Sequence, residues 1–217
     1  MYRRGRVGIA LSAAAALVPA VDAQAGTVAL DKPCYVEQSP MTATGSGFAP
    51  GANLTLSGDG AFATAVADPA GNFSVPVQAP INPTIDPKPS SVSTYTRDVE
   101  NFSDPTQNTS IQYQVVNFAA DSGTSSNPRT KRTWHFSGFP TGATIYGHFR
   151  FRGRTVANYR FGKATGACGL LHAKAPGLPV SRLHVGNYTA QLDTSKHYNK
   201  DAAPRLKTTI RVFLVPR

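Results

Sequence analysis

Short alternating runs dominate the chain. Apolar and polar residues trade places at every second position over 28–36, 41–47, 53–58, 61–67, 72–78 and 110–118. The same pattern returns over 131–137, 143–151, 155–161, 167–173, 187–193 and 206–215. A period of two sends successive side chains to opposite faces, which is the signature of a half-buried strand. Beyond residue 25 no stretch keeps apolar residues at i, i+3, i+4 and i+7 for three turns. Between the runs lie "APG", "GDG", "DPAG" and the proline-rich "APINPTIDPKPSS". These are turn chemistry: Pro presets φ, and Gly supplies the positive φ needed where a chain reverses. Many short strands at this spacing, about 95 residues per unit, predict an all-β protein of two β-sandwiches in tandem.

The N-terminus follows a different rule. Arg3, Arg4 and Arg6 precede an apolar run from Val7 to Val21 that ends in Ala23-Gln24-Ala25. A basic start, a short apolar stretch and a small-residue cleavage site predict a secretory signal peptide over 1–25. The run is interrupted by Pro19 and is followed by no second apolar segment, so the mature chain is expected to lack a transmembrane segment and to be secreted or extracytoplasmic.

Charge divides the rest. Residues 26–118 hold three Lys and Arg against eight acids, net −5, whereas 119–217 hold sixteen against three, net +13. All five His lie in the second part. The change falls at "AADSGTSSNPRT", whose Gly, Ser and Pro content reads as a linker. The expected organisation is an acidic sandwich over 26–118, a linker over 119–130 and a basic sandwich over 131–217.

An internal repeat supports that division. "GFAPGANLTLSG" at 47–58 matches "GFPTGATIYGHF" at 138–149, aligning Gly47 with Gly138, Phe48 with Phe139, Gly51 with Gly142, Ala52 with Ala143 and Leu54 with Ile145. "ADPAGNF" at 67–73 corresponds loosely to "KATGAC" at 163–168. The pattern G-F-x-P-G-A followed by D-x-x-G-N-F-S resembles the tandem immunoglobulin-like domains of bacterial secreted and surface proteins. That resemblance implies spacer or binding modules without shared catalytic residues, and it places Tyr188 of "VGNYTAQLD" at the corner where such domains seat a Tyr. The Cys and Trp spacing of antibody domains is absent.

Candidate chemistry is sparse. Asp193, Ser195 and His197 contain the residue types of a hydrolase relay, but neighbours on one strand do not make its geometry, and no G-x-S-x-G elbow is present. His135, His148, His172, His184 and His197 form no H-x-x-x-H or H-E-x-x-H pair, so no metal or other cofactor is expected. Asp59, Asp68 and Asn72 carry calcium-type oxygens, yet "DPAGN" reads more simply as a hairpin turn. Cys34 and Cys168 lie one in each half. Export favours a disulfide across the two sandwiches; two buried thiols are the alternative.

One feature points outward. In "GHFRFRGRTVANYRFG" at 147–162, a hairpin with the three-residue loop Arg152-Gly153-Arg154 sets Phe151 against Thr155 and Phe149 against Ala157. Ile145, Phe149, Phe151, Tyr159 and Phe161 then share the core face, and Tyr146, His148, Arg150, Arg152, Arg154 and Arg160 the exposed one. With its aromatic rings buried, such a face offers bases no stacking platform, so no nucleic-acid partner is expected. His148, Arg150, Arg152, Arg154 and Arg160 are the candidate site for an anionic partner: a cell-wall polymer, lipid head groups or an acidic protein surface. The sequence thus predicts a non-enzymatic binding or spacer protein of the envelope or extracellular space. The competing reading is a hydrolase or enzyme-accessory module that uses the His-rich basic domain on an acidic substrate.

Overall fold

The computed structural model describes residues 26–82, 91–123 and 127–213. The predicted signal peptide lies outside the described residues. In chain order the strands are β1 (Thr27–Leu30), β2 (Cys34–Val36), β3 (Pro40–Ser46), β4 (Asn53–Ser57), β5 (Ala63–Val66), β6 (Phe73–Gln78), β7 (Val92–Asn101) and β8 (Thr109–Val116). The second part adds β9 (Ala119–Asp121), β10 (Lys131–Ser137), β11 (Thr144–Phe151), β12 (Arg154–Lys163), β13 (Leu171–Pro176), β14 (Gly186–Asp193) and β15 (Arg205–Val212). A 3₁₀ turn at Pro105–Gln107 joins β7 to β8. Among the described residues no helix is long and apolar enough to cross a membrane.

Two sandwiches result. In the first, a sheet ordered β1-β3-β6 faces one ordered β2-β8-β7-β4-β5; in the second, β13-β10-β9 faces β12-β11-β14-β15. With β2 set aside, the two share one plan, in which the first, second and fifth strands oppose the third, fourth and last two, as in immunoglobulin-type sandwiches. Ala43, Phe48, Leu54, Leu56, Phe73 and Val99 fill the first core from both sheets. Trp134, Phe136, Phe139, Ile145, Ala175 and Leu192 fill the second, continued by Phe149, Tyr188 and Ala190.

The repeat has a structural cause. Gly47 and Gly138 take φ of 84° and 77°, and Phe48 and Phe139, which follow them, are buried. Behind each Phe the backbone leaves room only for Gly: a Cβ on Gly71 would lie 2.2 Å from the Phe48 carbonyl oxygen, and one on Gly169 would lie 1.6 Å from that of Phe139. Gly169 rather than Gly166 is therefore the counterpart of Gly71. The last turn is longer than the sequence suggests, and β13 begins at Leu171 instead of near 167.

Three further differences have physical reasons. The run read as one strand over 28–36 is two, because Asp31-Lys32-Pro33 carries the chain from the sheet of β1 to a parallel pairing of β2 with β8. Residues 92–101, read as non-strand, form the long β7. Its core-facing register includes Arg97 and Asn101, both buried, and these polar residues mask the alternation. Ala119–Asp121, expected in the linker, pair with β10 as an edge strand.

The sandwiches are joined by the bond between Cys34 and Cys168, with a Cα–Cα distance of 5.3 Å, and no cysteine is free. Val116, Val92 and Leu170 pack around it. Ser137 Oγ donates to the Asn117 carbonyl at 2.6 Å on the same side of the junction.

Candidate functional site: a basic sheet face and the loop that covers it

The candidate site is the outer face of the sheet β12-β11-β14-β15. Cross-strand partners define its rows. Arg205, Asp193, Tyr146 and Arg160 lie side by side; next come Lys207, Gln191, His148 and Asn158, then Thr209, Thr189, Arg150 and Thr155. The inner face of the same strands carries Ile145, Phe149, Tyr188, Ala190 and Leu192, all buried. The apolar residues therefore face as the alternation predicts, with Phe151, Tyr159 and Phe161 packed against the same core.

The hairpin differs in detail from the expected one. Its loop has two residues, Arg152 and Gly153, with φ of 47° and 79°, the left-handed pair that the strand twist favours. Phe151 consequently opposes Arg154 rather than Thr155, so Arg154 falls in the Phe151 row and not, as expected, in the row of Arg150, where Thr155 stands instead. Val156 is the extra residue of a bulge that restores the expected Phe149 to Ala157 pairing. Arg152, Arg154 and Arg160 are exposed.

His148 is not part of the exposed row. Its side chain is fully buried, because the segment from Thr194 to Pro204 folds back over the sheet. Its Nε2 lies 3.0 Å from the Ser195 carbonyl oxygen and 3.3 Å from Asp193 Oδ1, and its Nδ1 lies 2.8 Å from Asn158 Oδ1. Asp193 also accepts from the Ser195 N–H at 2.7 Å and from Gln191 Nε2 at 2.7 Å. Gln191 Nε2 in turn donates to the Asn199 carbonyl at 2.7 Å. His148, Asp193 and Gln191 thus hold the covering loop, and Gln191 does so through its Nε2 alone, its Oε1 being buried without a partner.

Arg150 is half-buried and committed to the same loop. Its guanidinium sits 4.4 Å from the centre of the Tyr198 ring, donates to the Tyr198 hydroxyl at 2.8 Å and donates also to the Gly153 carbonyl. This is a cation–π clamp rather than a free charge. Sequence reasoning missed Arg205, Lys207 and Arg211, which extend the basic face across β15. The alternation of "RLKTTIRV" carried the signal, but only the pairing of β15 with β14 puts them beside the hairpin.

The other candidates separate. Ser195 meets Asp193 and His148 through its backbone, while His197 is exposed. Asp68 accepts from the N–H groups of Ala70 and Asn72 at 2.8 and 2.9 Å, closing the turn, whereas Asp59 is buried elsewhere against Arg97. The turn's N–H groups, Asn72 foremost, hold the Asp68 carboxyl below its ordinary value. His135 and His172 face each other across β10 and β13 with ring centres 4.6 Å apart. Among the described residues, no three His, Cys, Asp or Glu side chains gather as a metal site.

No protein-family model matches the chain, and no curated protein matches it. Among solved structures it is similar to a tetra-tandem repeat in the extending region of a large adhesion protein, at 14% identity over 85% of this chain and 47% of that one, with a TM-score of 0.29. The chain thus spans about half the length of that structure. It is also similar to the human OSCAR ligand-binding domain, at 10% identity over 87% of this chain and 98% of that one, TM-score 0.31. The YadV chaperone is similar at 10% identity over 85% and 99%, TM-score 0.27. Likeness at this level assigns neither family nor ligand.

Proposed function

We propose that this is an exported, non-enzymatic binding protein whose second sandwich attaches to an anionic component of the cell envelope or extracellular space. One observation carries the reading. Among the described residues, the carboxylates close to a basic side chain are Asp31 beside Lys32, Asp59 beside Arg97 and Asp193 beside His148. Arg160, Arg205, Lys207 and Arg211 therefore stand exposed on the outer face of the sheet β12-β11-β14-β15 without a carboxylate partner, and Arg152 and Arg154 are exposed at its hairpin end. A face kept only for solubility mixes both signs, whereas a single-sign face attracts a polyanion.

The contact is electrostatic, since the hairpin's Phe149, Phe151, Tyr159 and Phe161 pack on the core and Tyr146 alone of its aromatics lies on the outer face. Each cation near an anionic surface contributes about 1 kcal/mol, fading within a Debye length of about 10 Å at 0.1 M salt. The test is co-sedimentation of the chain from Gly26 onward with isolated envelope and with phosphatidylglycerol vesicles. The triple change Arg152→Gln, Arg154→Gln and Arg160→Gln should weaken binding by a few kcal/mol at most. The unfolding midpoint should stay unchanged, and added salt should mimic the substitutions. Binding indifferent to both would end this reading.

A further inference from the structure

The two sandwiches close their last strand differently. In the first, β2 runs parallel to β8 and pairs with its final three residues, Gln114 to Val116, while Tyr35 of β2 is buried in the seam between the sheets. In the second, β15 is the outermost strand of its sheet among the described residues. Beside its final residues, Thr208 to Val212, runs a groove of about 680 Å³ that also touches Trp134, Leu183 and Phe213. Phe213 is 72% exposed. The stretch that corresponds to β2 by position in the chain, "SGTSSNPRT" at 122–130, offers no apolar side chain apart from Pro128, where β2 supplies Cys, Tyr and Val.

We propose that this groove is a strand-acceptor site: it takes an extended segment of a partner protein, acidic with apolar residues at alternate positions, which pairs parallel to β15 as β2 pairs with β8. The chemistry follows from the walls. A strand in that place points alternate side chains inward, onto Trp134, Leu183, Ile210 and Val212, and the others outward. The outward ones meet Arg211 and Lys207, which β15 presents on its solvent face. Arg132 lines the groove too; its Nη1 donates to the Gly123 carbonyl at 2.6 Å, while its Nε is buried with no acceptor. Edge pairing supplies affinity, and the alternation supplies selectivity. This site is separate from the exposed arginines of the hairpin, and the inference stands without them.

Trp134, the only tryptophan of the chain, is the reporter. The probe is a blocked heptapeptide alternating valine and glutamate, titrated against the full chain by Trp emission and by amide hydrogen exchange of 205–212. Saturable emission change with slowed exchange in β15 is expected. The same peptide N-methylated at alternate amides should bind at least about tenfold more weakly, the equivalent of 1.4 kcal/mol. Changing Arg152, Arg154 and Arg160 to Gln should leave heptapeptide binding in place even if envelope binding is lost, so the two ideas fail separately. Equal binding of the methylated peptide, or binding without slowed exchange in β15, overturns the proposal. So does a concentration-dependent dimer that protects β15 without peptide, which would make a second copy the occupant.

Discussion

Arg97 and Asp59 form an ion pair inside the first sandwich with neither side chain exposed. The Tyr113 hydroxyl donates to the same carboxylate oxygen, and Arg97 Nη1 reaches the Ala61 carbonyl at 3.4 Å. Burial, reinforced by the bond to Asp59, pushes the Tyr113 hydroxyl well above its ordinary range. A charge buried against one partner is destabilising to orphan, while removing both together is far cheaper. Asp59→Asn is expected to cost about 3–5 kcal/mol in urea unfolding. Asp59→Leu combined with Arg97→Met should cost much less than the two changes singly. Additive losses would contradict the pairing.

The bridge from Cys34 to Cys168 spans a sequence separation of 134 residues. Closing so long a loop restricts the unfolded chain, with a stabilisation of about 5 kcal/mol in the chain-entropy account. Denatured, unreduced protein should show no free thiol and run as a monomer on a gel. The double change Cys34→Ala and Cys168→Ala should lower stability by an amount of that order. Each sandwich keeps its own core, so β-type circular dichroism should persist at 25 °C. Two free thiols per chain would refute the bond.

Asp31 sets an acid limit on the first sandwich. It accepts from the Thr42 N–H at 2.7 Å and from the Tyr35 hydroxyl at 2.8 Å, where the chain passes from one sheet to the other. The Thr42 N–H, aided by Tyr35 and Lys32, holds its carboxyl below the ordinary value of 3.8. A carboxyl lowered by folding stabilises fully above that ordinary value, and the gain disappears as pH falls through the lower, folded value. The site is exposed, so the contribution is about 1 kcal/mol or less. Asp31→Asn should lose that amount at pH 7 and show a flatter decline of melting temperature below pH 4. An unchanged acid limb would show that other groups set it.

Tyr188 occupies the corner position that the resemblance assigned to it. It is fully buried, and its hydroxyl accepts the His184 N–H at 2.8 Å while its ring packs on Phe151 at 4.7 Å. Tyr188→Phe keeps the packing and removes one hydrogen bond, which should cost about 1 kcal/mol. Tyr188→Ala adds a cavity and should cost about 3–5 kcal/mol. Equal effects of the two changes in thermal unfolding would show that the hydroxyl, not the ring, dominates.

Much of the architecture was legible because alternation is a local property. A strand with one wet and one dry face writes its period into the chain, and the turn glycines at 47, 51, 138 and 142 carry conformations that other residues avoid. Strand β7 was hidden for the opposite reason: Arg97 and Asn101 sit on the dry face and pair with residues distant in sequence or outside the strand, Asp59 and Gln107. The two-residue loop at Arg152-Gly153 was misjudged by one position, since a bulge at Val156 compensates for it and leaves the facing of the aromatics unchanged.

The sequence by itself determined the all-β class, the two-unit repeat, the imbalance of charge and the side of the hairpin on which its aromatics lie. These follow from periods of two and from residue types, which need no knowledge of what packs where. The tertiary structure alone decided that His148 is buried, that Arg150 is clamped by Tyr198, and that β15 brings Arg205, Lys207 and Arg211 to the basic face. It also decided that, among the described residues, a groove runs beside the end of β15. Each of these depends on which strand lies next to which, and on a loop folding back over a sheet. Such contacts join residues tens of positions apart, and alternation along one strand carries no record of its neighbours.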